Sequence, residues 1–169
     1  ATFLSSSFDA VVIKMGLHEV PRQQQVQALQ LVASVLRPKG SFVIWTLLFD
    51  QKIQRLFQDV IREKDRLAGF DELVRDRYFY CDEELMAMTK AAHLEMTDNP
   101  HVWQYQFSTM ARLIPEFNGD RTKLRALNEY IRKHMPRDRY KQLGFQDTGE
   151  DIRFQVPKAI LTFRRSTGF

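Results

Sequence analysis

Residues 8–21 read Phe8-Asp9-Ala10-Val11-Val12-Ile13-Lys14-Met15-Gly16-Leu17-His18-Glu19-Val20-Pro21. Ala10 to Ile13 are apolar at every position, the pattern of a strand covered on both faces in the middle of a parallel sheet. Behind Pro21, a glutamine-rich segment leads into Val26, Leu29, Val32, Ala33 and Leu36, which recur at helical spacing on one face. Pro38-Lys39-Gly40 is expected to end that helix. Ser41-Phe42-Val43-Ile44-Trp45-Thr46 then supplies a second strand rich in β-branched and aromatic residues. Strand, helix and strand in this order predict a βαβ unit, with the two strands parallel and the crossover right-handed.

Downstream, Asp50 is placed to cap a helix bearing Ile53, Leu56, Phe57, Val60 and Ile61, closed near Gly69. Asp82-Glu83-Glu84 opens another, where the helix dipole favours acids, and a third starts near Asp120 and stops before Pro136. His101 to Phe107 fits two readings, of which the strand is the one expected. Trp103, Tyr105 and Phe107 alternate as in a strand, while Trp103, Phe107, Met110 and Ile114 also share one helix face. Ile152 to Phe154 and Ala159 to Phe163 read as extended, with Pro157 between them.

The chain has 169 residues, 44% hydrophobic and 27% charged, which predicts one globular domain over 1–169. The net charge of +4 comes from basic residues interspersed with acids. The basic run Arg132-Lys133-His134 lacks the interleaved aromatics of a nucleic-acid surface, so nucleic acid is not an expected partner. The longest apolar stretches, Ala10 to Ile13 and Phe42 to Phe49, are too short to span a bilayer, and a single Cys81 fits a reducing compartment. The expected location is cytoplasmic, with no membrane association.

His18, His93, His101 and His134 are not spaced from one another or from Cys81 as ligands, so no metal site is expected. The sequence has no Gly-x-Ser-x-Gly, P-loop or Gly-x-Gly-x-x-Gly pattern. What remains is the loop Lys14 to Pro21, at the carboxyl end of the first strand, where ligands bind in open parallel sheets. Gly16 permits close backbone approach there, and His18 and Glu19 put polar groups at its mouth.

Phe8-Asp9-Ala10-Val11-Val12-Ile13, then Gly16-Leu17-His18-Glu19-Val20, then Leu36-Arg37-Pro38-Lys39-Gly40-Ser41-Phe42-Val43-Ile44 resemble, in order and spacing, the second half of class I S-adenosylmethionine-dependent methyltransferases. Lys39 stands where the first of two glycines often sits in that family. Leu143-Gly144-Phe145 and Pro157-Lys158-Ala159-Ile160 also look like the C-terminal part of some small-molecule members. The resemblance implies an α/β, incomplete Rossmann-like methyltransferase fold. Its fourth strand falls at Asp9 to Ile13, its fifth at Ser41 to Thr46, its sixth near Leu94 to Phe107, and its antiparallel seventh near Pro157 to Arg164. The first three strands, with the family's glycine-rich cofactor loop and ribose-binding acid, have no counterpart. Helical lid insertions are implied at about 50–80 and 108–153.

The resemblance also implies S-adenosyl-L-methionine as cofactor, bordered by Ala1, Lys14, Met15, Gly16 and His18. It implies a substrate pocket walled by Glu19, Trp45, Thr46 and Phe107, with Ser108 and Thr109 nearby. Methyl transfer from a sulfonium needs alignment and, for some acceptors, removal of a proton, for which His18 and Glu19 are the candidates. The expected function is methyl transfer to a small molecule, this chain being a C-terminal fragment not active alone. Its expected partner is a missing N-terminal half, or another chain, at the edge of strand 9–13. The alternative is a catalytically degenerate methyltransferase-like domain that binds a partner protein along that edge.

Overall fold

The computed structural model describes residues 4–166. In chain order these form β1 (Phe8–Lys14), α1 (Arg22–Val35), β2 (Leu36–Leu47), α2 (Gln51–Ala68), α3 (Asp71–Asp76), α4 (Asp82–Ala91), β3 (Leu94–Met96), β4 (His101–Ser108), α5 (Arg121–His134), β5 (Gln146–Asp147) and β6 (Ile152–Arg165). The strands make one mixed sheet. β1 and β2 are parallel, as the βαβ pattern requires, and β6 runs antiparallel to β2. β3, β4 and β5 in turn pair antiparallel with β6.

Alternation along β2 explains the two cores. Phe42 and Ile44 are fully buried against α1 and α4, with Leu29, Val32, Leu85, Leu161 and Phe163. The other face is covered at one end by α2 and α5, through Phe57, Val60, Ile61, Leu127, Ile131, Phe154 and Val156. Both helices begin where the sequence places them. Asp50 accepts hydrogen bonds from the Lys52 and Ile53 N–H groups, and Asp120 from those of Thr122 and Lys123. Gly69 closes α2 in the left-handed conformation, φ 84°.

The structure departs from the sequence-based expectations at three points. First, β1 is not covered on both faces: Val12 is 65% exposed, because among the described residues the sheet ends at β1. Second, α1 ends at Val35 rather than at Pro38: Leu36 is already extended, at φ −69° and ψ 135°, and pairs with Phe8 of β1. Third, β6 passes through Pro157 without a break. Pairing with β2 stops at Lys158, so Pro157 lies beyond that ladder, and its carbonyl accepts the Leu48 N–H. Residues 101–108 are strand, in keeping with the alternation of Trp103, Tyr105 and Phe107 and with the sixth strand expected near Leu94 to Phe107; β3 and β4 form one interrupted line along β6, five steps from Met96 to His101 spanning three from Phe163 to Ile160.

The motif Leu36-Arg37-Pro38-Lys39-Gly40 has a steric explanation. Between Phe8↔Leu36 and Ala10↔Ser41, two steps along β1 are matched by five along β2. The extra residues fold back through Lys39 at φ 67°, a left-handed conformation that favours glycine. Gly40 lies so close to β1 that a Cβ there would meet the Arg37 carbonyl oxygen at 2.9 Å and that of Asp9 at 3.2 Å. Lys39→Gly is therefore expected to stabilise the chain by roughly 0.5–1 kcal/mol, read as an increase in the urea midpoint. An unchanged or lowered midpoint would show that Lys39 carries no strain.

Candidate functional site

Beyond the carboxyl ends of β1 and β2 the chain forms a half-open cavity of about 330 Å³. Met15 and His18 reach it from the loop after β1, and Leu47 from the end of β2. α2 adds Phe57, Ile61 and Lys64, α3 adds Leu73, and the segment after α3 adds Arg77 and Phe79. Tyr105 and Phe107 of β4, Lys158 of β6, and Phe70, Arg112 and Glu116 complete it.

The apolar wall is a cluster of aromatic rings. Phe57 meets Phe79 edge to face at 5.0 Å and Phe107 at 6.1 Å between ring centroids. His18 stacks on Phe79 at 4.5 Å. Its Nδ1 is buried without a hydrogen-bond partner among the described residues. Burial, followed by the nearby Arg77 charge, lowers the His18 pKa to about 4 against the opposing pull of Glu19. At neutral pH the imidazole is uncharged.

Behind the polar wall lies an ion network. The Asp65 side chain is 1% exposed and accepts from Arg77 Nη1 at 3.0 and 2.9 Å, with Lys64 Nζ at 2.8 Å. Lys64 also pairs with Glu116, which accepts from Arg112 Nη1 at 2.9 Å. Arg77 Nη2 donates to Glu19 at 2.9 Å. Lys158 is different: its ammonium sits 3.9 Å from the centre of the Tyr105 ring and 5.9 Å from that of Trp45. No acid pairs with it among the described residues.

The segment carrying Arg77 and Phe79 belongs to no helix and makes one isolated bridge, Phe49 to Cys81. Three glutamine amides hold it. Gln25 Nε2 donates to the carbonyls of Leu17, Val20 and Tyr78, so the loop after β1 and the cavity wall are tied to one side chain of α1. Gln54 donates to the Phe79 carbonyl, and Gln58 donates to the Arg77 carbonyl and accepts the Phe79 N–H.

The residues singled out in the sequence fall in different places. Met15, His18 and Phe107 line the cavity. Lys14 and Trp45 stand beside it, the Lys14 ammonium 4.4 Å from the centre of the Trp45 ring, and Trp45 packs edge to face on Trp103 at 5.7 Å. Glu19 is exposed and held by Arg77. Thr46 is turned to the opposite face of β2, where it is buried and hydrogen-bonded to the Tyr80 hydroxyl, because neighbouring strand residues alternate. It walls no part of the cavity. Gly16 has φ −121° and a Cβ there would make only ordinary contacts, so the left-handed turn of this loop is borne by Met15 at φ 51°. Ser108 and Thr109 hydrogen-bond the Asp151 carboxylate instead of lining the cavity. Burial works against that carboxylate's charge, but the Met110 N–H, Arg153 and Ser108 outweigh it and hold its pKa below the usual range. Ala1 lies outside the described residues. Among the described residues no cluster of His, Cys, Asp and Glu is arranged to hold a metal ion, and no helix is long and apolar enough to cross a membrane.

By sequence, neither a protein-family profile nor a curated protein matches the chain. By structure, it is similar to a "putative methyltransferase" of Bacillus halodurans C-125, with a TM-score of 0.81 at 16% identity, over 99% of this chain and 74% of that one. It is likewise similar to the YcgJ protein of Bacillus subtilis, with a TM-score of 0.77 at 17% identity, over 99% of this chain and 68% of the other. At these identities the likeness is one of fold. The parallel β1–β2 pair with its antiparallel neighbour β6, and the helices on both faces of the sheet, are the Rossmann-like fold seen in methyltransferase structures.

Proposed function

We propose that the chain serves S-adenosyl-L-methionine-dependent methyl transfer to a small molecule, as the C-terminal part of a larger catalytic unit and not active alone. The observation that carries this reading is the position of the cavity, at the carboxyl ends of the parallel strands and reached by Met15 and His18. The residues present fit one flank of the cofactor. Lys14, Met15 and Gly16 would border its methionine and sulfonium portion, and the unpartnered Nδ1 of His18 offers a polar contact.

Bound there, S-adenosylmethionine supplies an electrophilic methyl group on sulfur. The chain's contribution is positioning. Phe57, Phe79 and Phe107 exclude water and hold the body of the acceptor, and His18 orients its polar group. With a pKa of about 4, His18 is a weak proton acceptor, and Glu19 is engaged by Arg77, which favours an acceptor atom already nucleophilic at neutral pH.

The open edge of β1, with Val12 exposed, is proposed to pair with the strand that completes the sheet, supplied by an upstream segment or by another chain. Calorimetric titration of the whole gene product with S-adenosylhomocysteine is expected to show saturable heat and a raised Tm, with little of either for residues 1–169 alone. No heat and no stabilisation in the whole product would overturn the methyl-transfer reading and leave β1 as a protein-binding edge.

A further inference from the structure

Charge in the cavity wall is unbalanced. Of its cations, Lys64 and Arg77 share Asp65 behind the wall and reach Glu116 and Glu19, and Arg112 takes the second oxygen of Glu116. Lys158 is left over. It comes from β6, packs on the Tyr105 ring and faces Arg112 and Lys14, both cations. Its own element offers no relief, since the β6 carboxyl nearest in sequence, Asp151, lies before the strand and binds Arg153. Arg112 contributes a second unmet donor, its buried Nε, which has no partner among the described residues.

Unpaired donors of one sign, in a cavity whose apolar wall is largely phenylalanine and whose one lining carboxylate, Glu116, is already engaged by Lys64 and Arg112, describe a ligand as well as a surface. A half-buried ammonium beside other cations is relieved by an anion that joins it. Burial first, then the charges of Lys14 and Arg112, pull the Lys158 pKa below the usual lysine range, the direction that a bound anion reverses. At about 330 Å³ the cavity is at the small end of small-molecule pockets, which rules for a compact ligand with one charged end.

We propose that the cavity binds an organic acid, its oxyanion held by Lys158 and Arg112 and its aromatic or branched aliphatic body packed on Phe57, Phe79 and Phe107. The inference rests on the reading of this cavity as the acceptor pocket and names the acceptor's class. A carboxylate and a phosphate monoester share the chemistry.

The test is equilibrium binding to the whole gene product, without cofactor, of 4-phenylbutanoate, 4-phenylbutanamide and 3-phenylpropyl phosphate. At least one anion is expected to bind about tenfold or more tightly than the amide, since a hydrogen bond to a charged group is among the stronger ones, and the ratio of the two anions tells carboxylate from phosphate. Lys158→Met is expected to bring the anions down to the affinity of the amide, and Lys158→Arg to retain the preference. Anions binding no more tightly than the amide, no binding of any probe, or undiminished anion binding by Lys158→Met would overturn the proposal. The wild-type comparison stands alone should Lys158→Met not fold. An acid preference without S-adenosylhomocysteine binding would sink methyl transfer and keep the anion site; the reverse result would sink the anion site only.

Discussion

Asp65→Leu is expected to cost about 3–5 kcal/mol of folding stability, a large share of what a domain of this size has, because it strands two cations in a buried place. Asp65 is almost wholly buried and is the anion that Arg77 and Lys64 have in common. Removing it leaves Arg77 with the exposed Glu19 and Lys64 with Glu116, which Arg112 already engages. Urea unfolding measures the loss. Lys64→Met combined with Asp65→Leu should cost less than the two single changes added, since the double variant buries fewer unpaired charges. A loss below about 1 kcal/mol for Asp65→Leu would mean that water reaches the network and that it behaves as a surface pair.

The second large effect is a loss of stability in mild acid that belongs to His18. Folded, its pKa is about 4; unfolded, it returns to the ordinary 6.5. Above pH 6.5 the imidazole is neutral in both states and costs nothing. As the pH falls from 6.5 to 4 the unfolded chain takes up the proton first, so stability drops by roughly 3 kcal/mol, and below 4 this group changes nothing further. Arg77 and Glu19 are the charged groups that act on it, the first lowering and the second raising its pKa, and burial outweighs both. His18→Leu removes the titration and keeps an apolar side chain against Phe79. Unfolding free energies at pH 7.5 and 4.5 should therefore fall further for the wild type than for the variant. Parallel acid profiles would show that His18 is solvated in the folded chain.

Local signals carried the framework. Apolar runs at Ala10 to Ile13 and Phe42 to Ile44, the helical spacing of Val26, Leu29 and Val32, and the caps at Asp50 and Asp120 are each set within a few residues, and the βαβ unit followed from them. The apolar run at Ala10 to Ile13 overstated burial because composition reports what a strand can tolerate, whereas its covering depends on neighbours far along the chain. Thr46 was a legible error: a period of two sends Trp45 and Thr46 to opposite faces, so both cannot wall one pocket. Gln54 and Gln58 also left a trace, as polar residues on the buried side of α2 beside Ile53, Phe57 and Ile61. Arg112 and Arg77 left none, and Lys158 stood out only within the stretch Pro157 to Ile160. The three come from a turn after β4, the segment after α3, and β6, and only tertiary packing brings them around one space.

Because one amide of Gln25 grips both the loop after β1 and the segment that holds Arg77 and Phe79, those two pieces are laced together like the sides of a shoe. A ligand that pushes Phe79 outward pulls, through Tyr78 and Gln25, on the backbone between Leu17 and Val20. The Tyr78 N–H on the His18 carbonyl, the Arg77–Glu19 pair and the His18–Phe79 stack run beside that amide, so whatever fills the cavity is felt by the loop next to it along several parallel laces.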